Sequence, residues 1–273
     1  NTLANKLFGQ RRCPIPSRKI KTMPTREILR LLLQKRNWLP GLRRHETGPL
    51  CIDRVYQTLD ACVAQRLKST KDRPNAHYAY EDGALESFLA ARALGITCIY
   101  DLPIGYWRTA RRIQPEEAEL QPEWALTMHA LKDSAPKLAR KDAELQEAEA
   151  IFVASQFTAN SLKDTPFELP TTAIIPYGCP DVTLDQAPAA SGSDKWKVLY
   201  VGGLSQRKGL SYLPDAVVQL GNAVELTIIG KRVAACAPLD AALKLPLIHI
   251  SEPTRRYATS YAVFCLKKKT SRY

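Results

Sequence analysis

Apolar and polar positions along this chain alternate between helical and strand spacing in a regular succession. Val55, Leu59, Cys62, Val63 and Leu67 recur three to four residues apart, which predicts a helix over residues 51–67 with one buried face. A short strand is expected over 75–80, then a helix over 83–94 rich in Ala, Leu and Phe and closed by Gly95. Residues 96–100 read as the next strand. Residues 116–149 read as mostly helical, with breaks at Pro122 and Pro136. A strand at 150–154 leads into a helix at 157–162, and 173–175 reads as a further strand. Strands alternating with helices predict an α/β protein built on parallel, doubly wound sheets. The segment 185–194, rich in Ala, Ser, Gly and Pro, reads as a linker between a domain over 1–184 and the start of a second over 195–246.

The second domain opens on the most informative segment. Val198, Leu199, Tyr200 and Val201 form a continuous apolar run, as a parallel strand buried on both faces should. Gly202 and Gly203 follow and leave the backbone bare for close approach. Arg207 and Lys208 come next, and an apolar pattern at helical spacing starts at Gly209. Strand, bare turn, two cations and helix start together suit a phosphate. The segment is neither a Walker loop nor a dinucleotide fingerprint. An ordinary strand–helix turn with solvated surface cations gives the same pattern.

Neighbouring segments carry more. Residues 148–162 (AEAIFVASQFTANSL), 173–178 (AIIPYG), 198–210 (VLYVGGLSQRKGL) and 224–230 (VELTIIG) come in that order. The succession resembles the nucleotide-sugar-dependent glycosyltransferases of family 4, whose two-domain architecture is called GT-B. Upstream, Tyr78–Ala84, Ile99–Arg108 and Pro122–Trp124 look like the acceptor-side domain of a bacterial branch of that family. The resemblance implies two Rossmann-like domains, the second truncated here, and transfer of a sugar from a nucleotide-diphosphate donor to a glycan, lipid-linked or small-molecule acceptor. It further implies retention of anomeric configuration and no metal or other cofactor. Lys208 matches the family's phosphate-contacting lysine, and Arg207 can share that task. Many relatives carry Arg directly after the first glycine, where this chain has Gly203. Asp101 falls where relatives often show a His-Asp pair, but the preceding residue is Tyr100. The candidate site is therefore Lys208, Arg207 and Asp101 for chemistry, with Gly202, Gly203 and Gly178 lining the nucleotide.

Several candidates have plainer readings. Asp101 could orient an acceptor hydroxyl or cap the turn after its strand. Glu81 and Asp82 could touch a sugar, though an N-cap before Gly83-Ala84 is the more ordinary role. His77 reads as a half-buried strand residue, and Ser155 and Thr158 as caps of the next helix. Pro214, five residues beyond Gly209, should kink the donor-domain helix.

Charge changes the picture at the ends. The formal net charge is +12, yet residues 1–45 hold twelve Lys or Arg against one acid and residues 247–273 hold six against one. The middle is mildly acidic, with 21 basic and 25 acidic side chains, so a nucleic-acid-binding stripe is not indicated. Residues 26–39 predict a basic amphipathic helix, with Thr25 as cap and Pro40-Gly41 as stop. It either packs its leucines on the first domain or lies at the periphery of an anionic membrane. Residues 247–273 leave the family pattern and resemble translated sequencing-adapter DNA. With Asn1 as first residue, the chain reads as an open-ended fragment with an artificial tail. It would lack the acidic Glu-x7-Glu segment that grips the donor, so no activity of its own is expected. Seven scattered cysteines without a C-x-x-C predict neither a disulfide framework nor a zinc site. A reducing, cytoplasmic setting fits them. The alternative function is a binding or scaffold protein that keeps the shell without turnover, and a nicotinamide-dependent oxidoreductase lacks its fingerprint.

Overall fold

The computed structural model describes residues 16, 19–36, 38–128, 133–178, 195–245 and the backbone of 248–251. The expected linker at 185–194 and the tail beyond 251 lie outside these. The chain divides into two compact units, Asn1–Ala110 with Lys132–Tyr177 and Arg111–Leu131 with Gly178–Tyr273.

In the first unit, α1 (Pro24–Arg36) and α2 (Ile52–Ser69) precede β1 (Ala76–Tyr80), α3 (Leu85–Arg92) and β2 (Thr97–Leu102). After α4 (Trp107–Leu120), whose first turn alone belongs to this unit, come α5 (Ala135–Gln146), β3 (Ala150–Val153), α6 (Gln156–Ser161) and β4 (Thr171–Ile174). The strands are parallel in the order β1-β2-β3-β4, with Tyr78 beside Ile99, Ile99 beside Ala150 and Ala150 beside Thr171. One sheet face carries Cys98, Tyr100, Leu102, Ile151 and Val153, which form a closed core with Phe88, Ala91, Leu145 and Leu162. Burial of this apolar face is what holds helices and sheet together. Burial and the charge of Glu149 push the Cys98 thiol up to about 11. Cys51 is buried as well, and Cys62 is half-buried.

Local signals explain most boundaries. Ser155 opens α6, its hydroxyl accepting from the Thr158 N–H at 3.2 Å. Ser134 opens α5, so Pro136 sits in a first turn that needs no N–H there, rather than breaking a longer helix. Pro24, not Thr25, begins α1. Helix α4 starts at Trp107, nine residues earlier than its pattern predicts, and carries Pro115 inside. His77 is half-buried, edge-on to Phe88 with ring centroids 5.5 Å apart, and burial lowers its pKa.

The second unit contains β5 (Trp196–Val201), α7 (Tyr212–Leu220), β6 (Val224–Ile229), α8 (Ala237–Ala242) and β7 (Ile248–Ser251). Its strands are parallel in the order β5-β6-β7. The first residues of the expected tail thus supply β7, with Ile248 beside Leu226. Val224, Leu226 and Ile228 point to one side of β6 and pack with Tyr200, Leu210, Val217 and Leu239. Trp124, 4% exposed, enters the same core. That indole accounts for the grouping of residues 111–131, read from sequence as part of the first domain, with the second unit.

Two sequence expectations change here. Strand β5 is not buried on both faces: among the described strands it lies at the edge of its sheet, and Trp196 (72%) and Leu199 (56%) are exposed. A continuous apolar run specifies a strand but not its place in the order. Pro214 does not kink α7, because it is the third helical residue and its missing N–H falls among the first-turn groups that have no intrahelical partner.

Candidate functional site

The basic turn is assembled where two parallel strand ends run on side by side. Beyond β5 the Gly202 N–H donates to the Ile229 carbonyl at 2.9 Å, and Leu204 N–H donates to Lys231 O at 2.9 Å. The turn therefore travels beside the segment leaving β6, and Leu204 bridges to Arg232. The Gly202 amide is engaged in this ladder, so of the two glycines only Gly203 lies outside it. The close approach is made possible by Gly230, where a Cβ would overlap the Gly202 carbonyl oxygen and sit 2.8 Å from Leu204 Cδ2.

Arg207 and Lys208 lie in a short 3-10 turn, Gln206–Lys208, closed by Gly209 in the left-handed region at φ 66°. A side chain is strained there, and glycine lets the turn end at once. The helix α7 then begins at Tyr212, three residues later than the apolar pattern suggests. Gln206, passed over in the sequence, fixes this turn. It is 2% exposed; its Nε2 donates to Glu117 Oε1 at 2.5 Å and Ser211 Oγ at 2.7 Å, and its Oε1 accepts from the Ser211 N–H at 2.9 Å. Its own N–H donates to Thr127 Oγ1 at 2.9 Å. Tyr212 OH adds a bond to Glu117 Oε1 at 2.9 Å. A lone glutamine in a basic stretch gives no sequence signal, since besides nearby Ser211 its partners Glu117 and Thr127 come from elements about 80 to 90 residues upstream.

Both cations are exposed, and among the described residues neither has a carboxylate partner. Partial burial and then the neighbouring Arg207 charge lower the pKa of Lys208. An anion between the two side chains would reverse that repulsion. The turn thus offers two adjacent positive side chains on a backbone tied down by Gln206, at the carboxyl end of a parallel strand, where α/β sheets bind ligands.

Asp101 belongs to the first unit. It is 7% exposed and lies within β2, where its carboxylate accepts from Tyr78 OH and its carbonyl from the Glu81 N–H at 3.2 Å. It does not cap the following turn. Burial, with the Asp101 bond, pushes the Tyr78 phenol upward. Glu81 and Asp82 do not cap α3 either. Glu81 pairs with Lys141 at 2.8 Å, and Asp82, at φ 71°, gives its N–H to Glu144 at 2.8 Å. The capping groups are carboxylates from other helices: Glu144 also accepts from the Ala84 N–H (3.1 Å), and Asp60 accepts from the Glu86 (2.8 Å) and Ser87 (2.9 Å) N–H groups. These carboxylates sit where the α3 dipole favours negative charge.

Glu144 is wholly buried, and burial pushes its carboxyl up to about 7 against the Ala84 and Asp82 N–H bonds and the Arg140 charge. A folded pKa above the unfolded 4.5 means that the native state holds the extra proton between these values. The stability this group contributes is present in acid and is lost as pH rises towards and through about 7. Glu144→Gln should remove that dependence while leaving one capped N–H without an acceptor, a cost of about 2 kcal/mol. Urea denaturation of both proteins at pH 5 and pH 8 checks this. The wild type should lose more stability than the variant over that interval, and equal losses would contradict the assignment.

Gly178 is exposed and assigned to the second unit, and a Cβ there would meet nothing within 4 Å. Gly202, Gly203, Arg207 and Lys208 share one turn, whereas Asp101 lies in the other unit with Tyr78.

No protein-family profile matches the sequence, and no curated protein is significantly similar to it. Among solved structures, one similar chain is a protein assigned as a UDP-N-acetylglucosamine 2-epimerase from Listeria monocytogenes. That alignment has a TM-score of 0.41 and 12% identity, and covers 84% of this chain and 59% of the other. Another is S. aureus MnaA in a co-structure with UDP, with a TM-score of 0.38, 11% identity, and 72% and 51% coverage. The chain thus spans between half and two thirds of the length of both.

Proposed function

We propose that the protein is a nucleotide-sugar-dependent glycosyltransferase, or the part of one that holds the donor diphosphate. The observation that carries this reading is the Arg207–Lys208 pair, two exposed cations without a carboxylate partner among the described residues, on a stapled turn after a parallel strand. Departure of a nucleoside diphosphate leaves growing negative charge on its β-phosphate. Cations already in place there stabilise the transition state more than the ground state. In this reading Lys208 supplies a point charge and Arg207 a planar fork suited to two phosphate oxygens. Gly203 leaves room for the nucleotide, and Gly202 and Gly230 hold the turn in register. Asp101, in hydrogen-bond contact with Tyr78, orients an acceptor hydroxyl. The order of sequence segments supports transfer with retention to a glycan, lipid-linked or small-molecule acceptor.

The test is incubation of the intact enzyme that contains this chain with a panel of UDP-, GDP- and ADP-sugars and candidate acceptors, following nucleoside diphosphate release and glycoside formation by mass spectrometry. Acceptor-dependent release with a matching glycoside is the expected result. An epimerised donor without glycoside would replace transferase by isomerase, and acceptor binding without turnover would mark a binding protein.

A further inference from the structure

We propose that α1 and the Trp38–Leu39 segment after it form a docking surface for an anionic phospholipid bilayer, with the helix lying flat on the headgroups. This goes beyond the transferase reading and stands on different residues.

The helix has two faces. Ile28, Leu31 and Leu33 are half-buried, as is Arg30 in an ion pair with Glu27 at 2.7 Å, and Arg26 reaches the rest of the unit through the Pro49 carbonyl. Leu29 (46%) and Leu32 (40%) are exposed, and Arg36, two turns beyond the first and one beyond the second, is exposed on the same side. Trp38 (61%) and Leu39 (51%) are exposed just past the end of the helix. Outward leucines flanked by arginine, with an exposed indole at one end, are the arrangement that inserts shallowly at a lipid–water boundary. No described helix is long and apolar enough to cross a membrane.

Charge selects the kind of surface. Among the described residues of this stretch Lys19, Lys21, Arg26, Arg36 and Arg44 are exposed, and the one acid of residues 1–45, Glu27, is bonded to Arg30. A cavity of about 400 Å³ between Arg26 of α1 and residues of α2 is lined by both Arg26 and Arg54, whose guanidinium groups suit a headgroup phosphate. Arg26 is held there by a 2.7 Å bond to the Pro49 carbonyl. A surface both apolar and cationic fits a bilayer carrying negative lipid.

Flotation with vesicles of phosphatidylcholine mixed with phosphatidylglycerol, against vesicles of phosphatidylcholine alone, tests the proposal on the whole chain. The expected result is binding to the mixed vesicles only, weakened by salt. Leu29→Ser with Leu32→Ser, both outward-facing, should reduce partitioning at least tenfold, and Arg36→Glu should also reduce it. Trp38 fluorescence should be quenched by brominated lipid, read as the difference from Trp38→Phe, which keeps the test decisive should the leucine variant fold poorly. Absence of binding, equal binding to neutral vesicles, or an unquenched Trp38 would each overturn the proposal. Salt-sensitive binding to RNA that the leucine replacements leave unchanged, without vesicle binding, would assign the surface to nucleic acid instead.

Discussion

In the intact enzyme that contains this chain, Lys208→Ala should lower kcat/KM for sugar transfer roughly a hundredfold, the scale of removing one preorganised charge-stabilising group from a developing anion. The side chain is exposed and makes no bond that holds the fold, so the melting temperature should not move. Its lowered pKa arises from partial burial and from Arg207, and that unfavourable proximity is relieved only when an anion is present. The loss should therefore appear with whole donors and in the affinity for the free nucleoside diphosphate. Arg207→Ala should cost less, because Lys208 still supplies a charge next to it. Steady-state kinetics on nucleotide-sugar donors, with calorimetry of the free diphosphate, measures both. An unchanged kcat/KM for Lys208→Ala would remove the turn from the mechanism.

Gly230→Ala should destabilise the second unit by about 3 kcal/mol, at the upper end of overpacking costs, because what the new methyl meets is backbone and cannot rotate away. To admit it, the end of β6 must leave Gly202, and the Gly202–Ile229 and Leu204–Lys231 hydrogen bonds go with it. Gly41→Ala, where a Cβ meets nothing within 4 Å, is the control and should fall within about 0.5 kcal/mol of the parent. Hydrogen exchange resolved by peptide checks the outcome: protection should fall across β5 and β6 and stay unchanged across β1–β4. Uniform loss across both units, or none, would contradict the close approach.

The alternation of apolar runs placed β1, β2 and β3 within two residues of their observed ends and made a parallel α/β fold legible. The Gly202–Lys208 turn was also legible, because glycines and cations after an apolar run are local signals. What escaped was decided by distant partners. Apolar content does not tell an edge strand from a central one, so β5 was expected to be enclosed. Helix α4 starts in an arginine-rich stretch with few apolar positions, and its pattern emerges only later. Gln206 depends on Glu117, Thr127 and Ser211, and the capping of α3 depends on Asp60 and Glu144. Each of these is a tertiary substitution for a local cap or staple. The GT-B resemblance rested on the order of four segments, of which 198–210 and 224–230 run side by side as parallel neighbours.

The placement of the cysteines gives each unit its own clock. Cys98 lies in the first core with its thiol held protonated, and Cys236, 5% exposed, lies in the second with its sulfur 3.7 Å from the Glu123 carbonyl. A thiol must be exposed and ionised before an alkylating reagent can trap it. Pulse alkylation with peptide-resolved mass spectrometry would therefore time the opening of the two units separately in one sample, with half-buried Cys62 as the early reference.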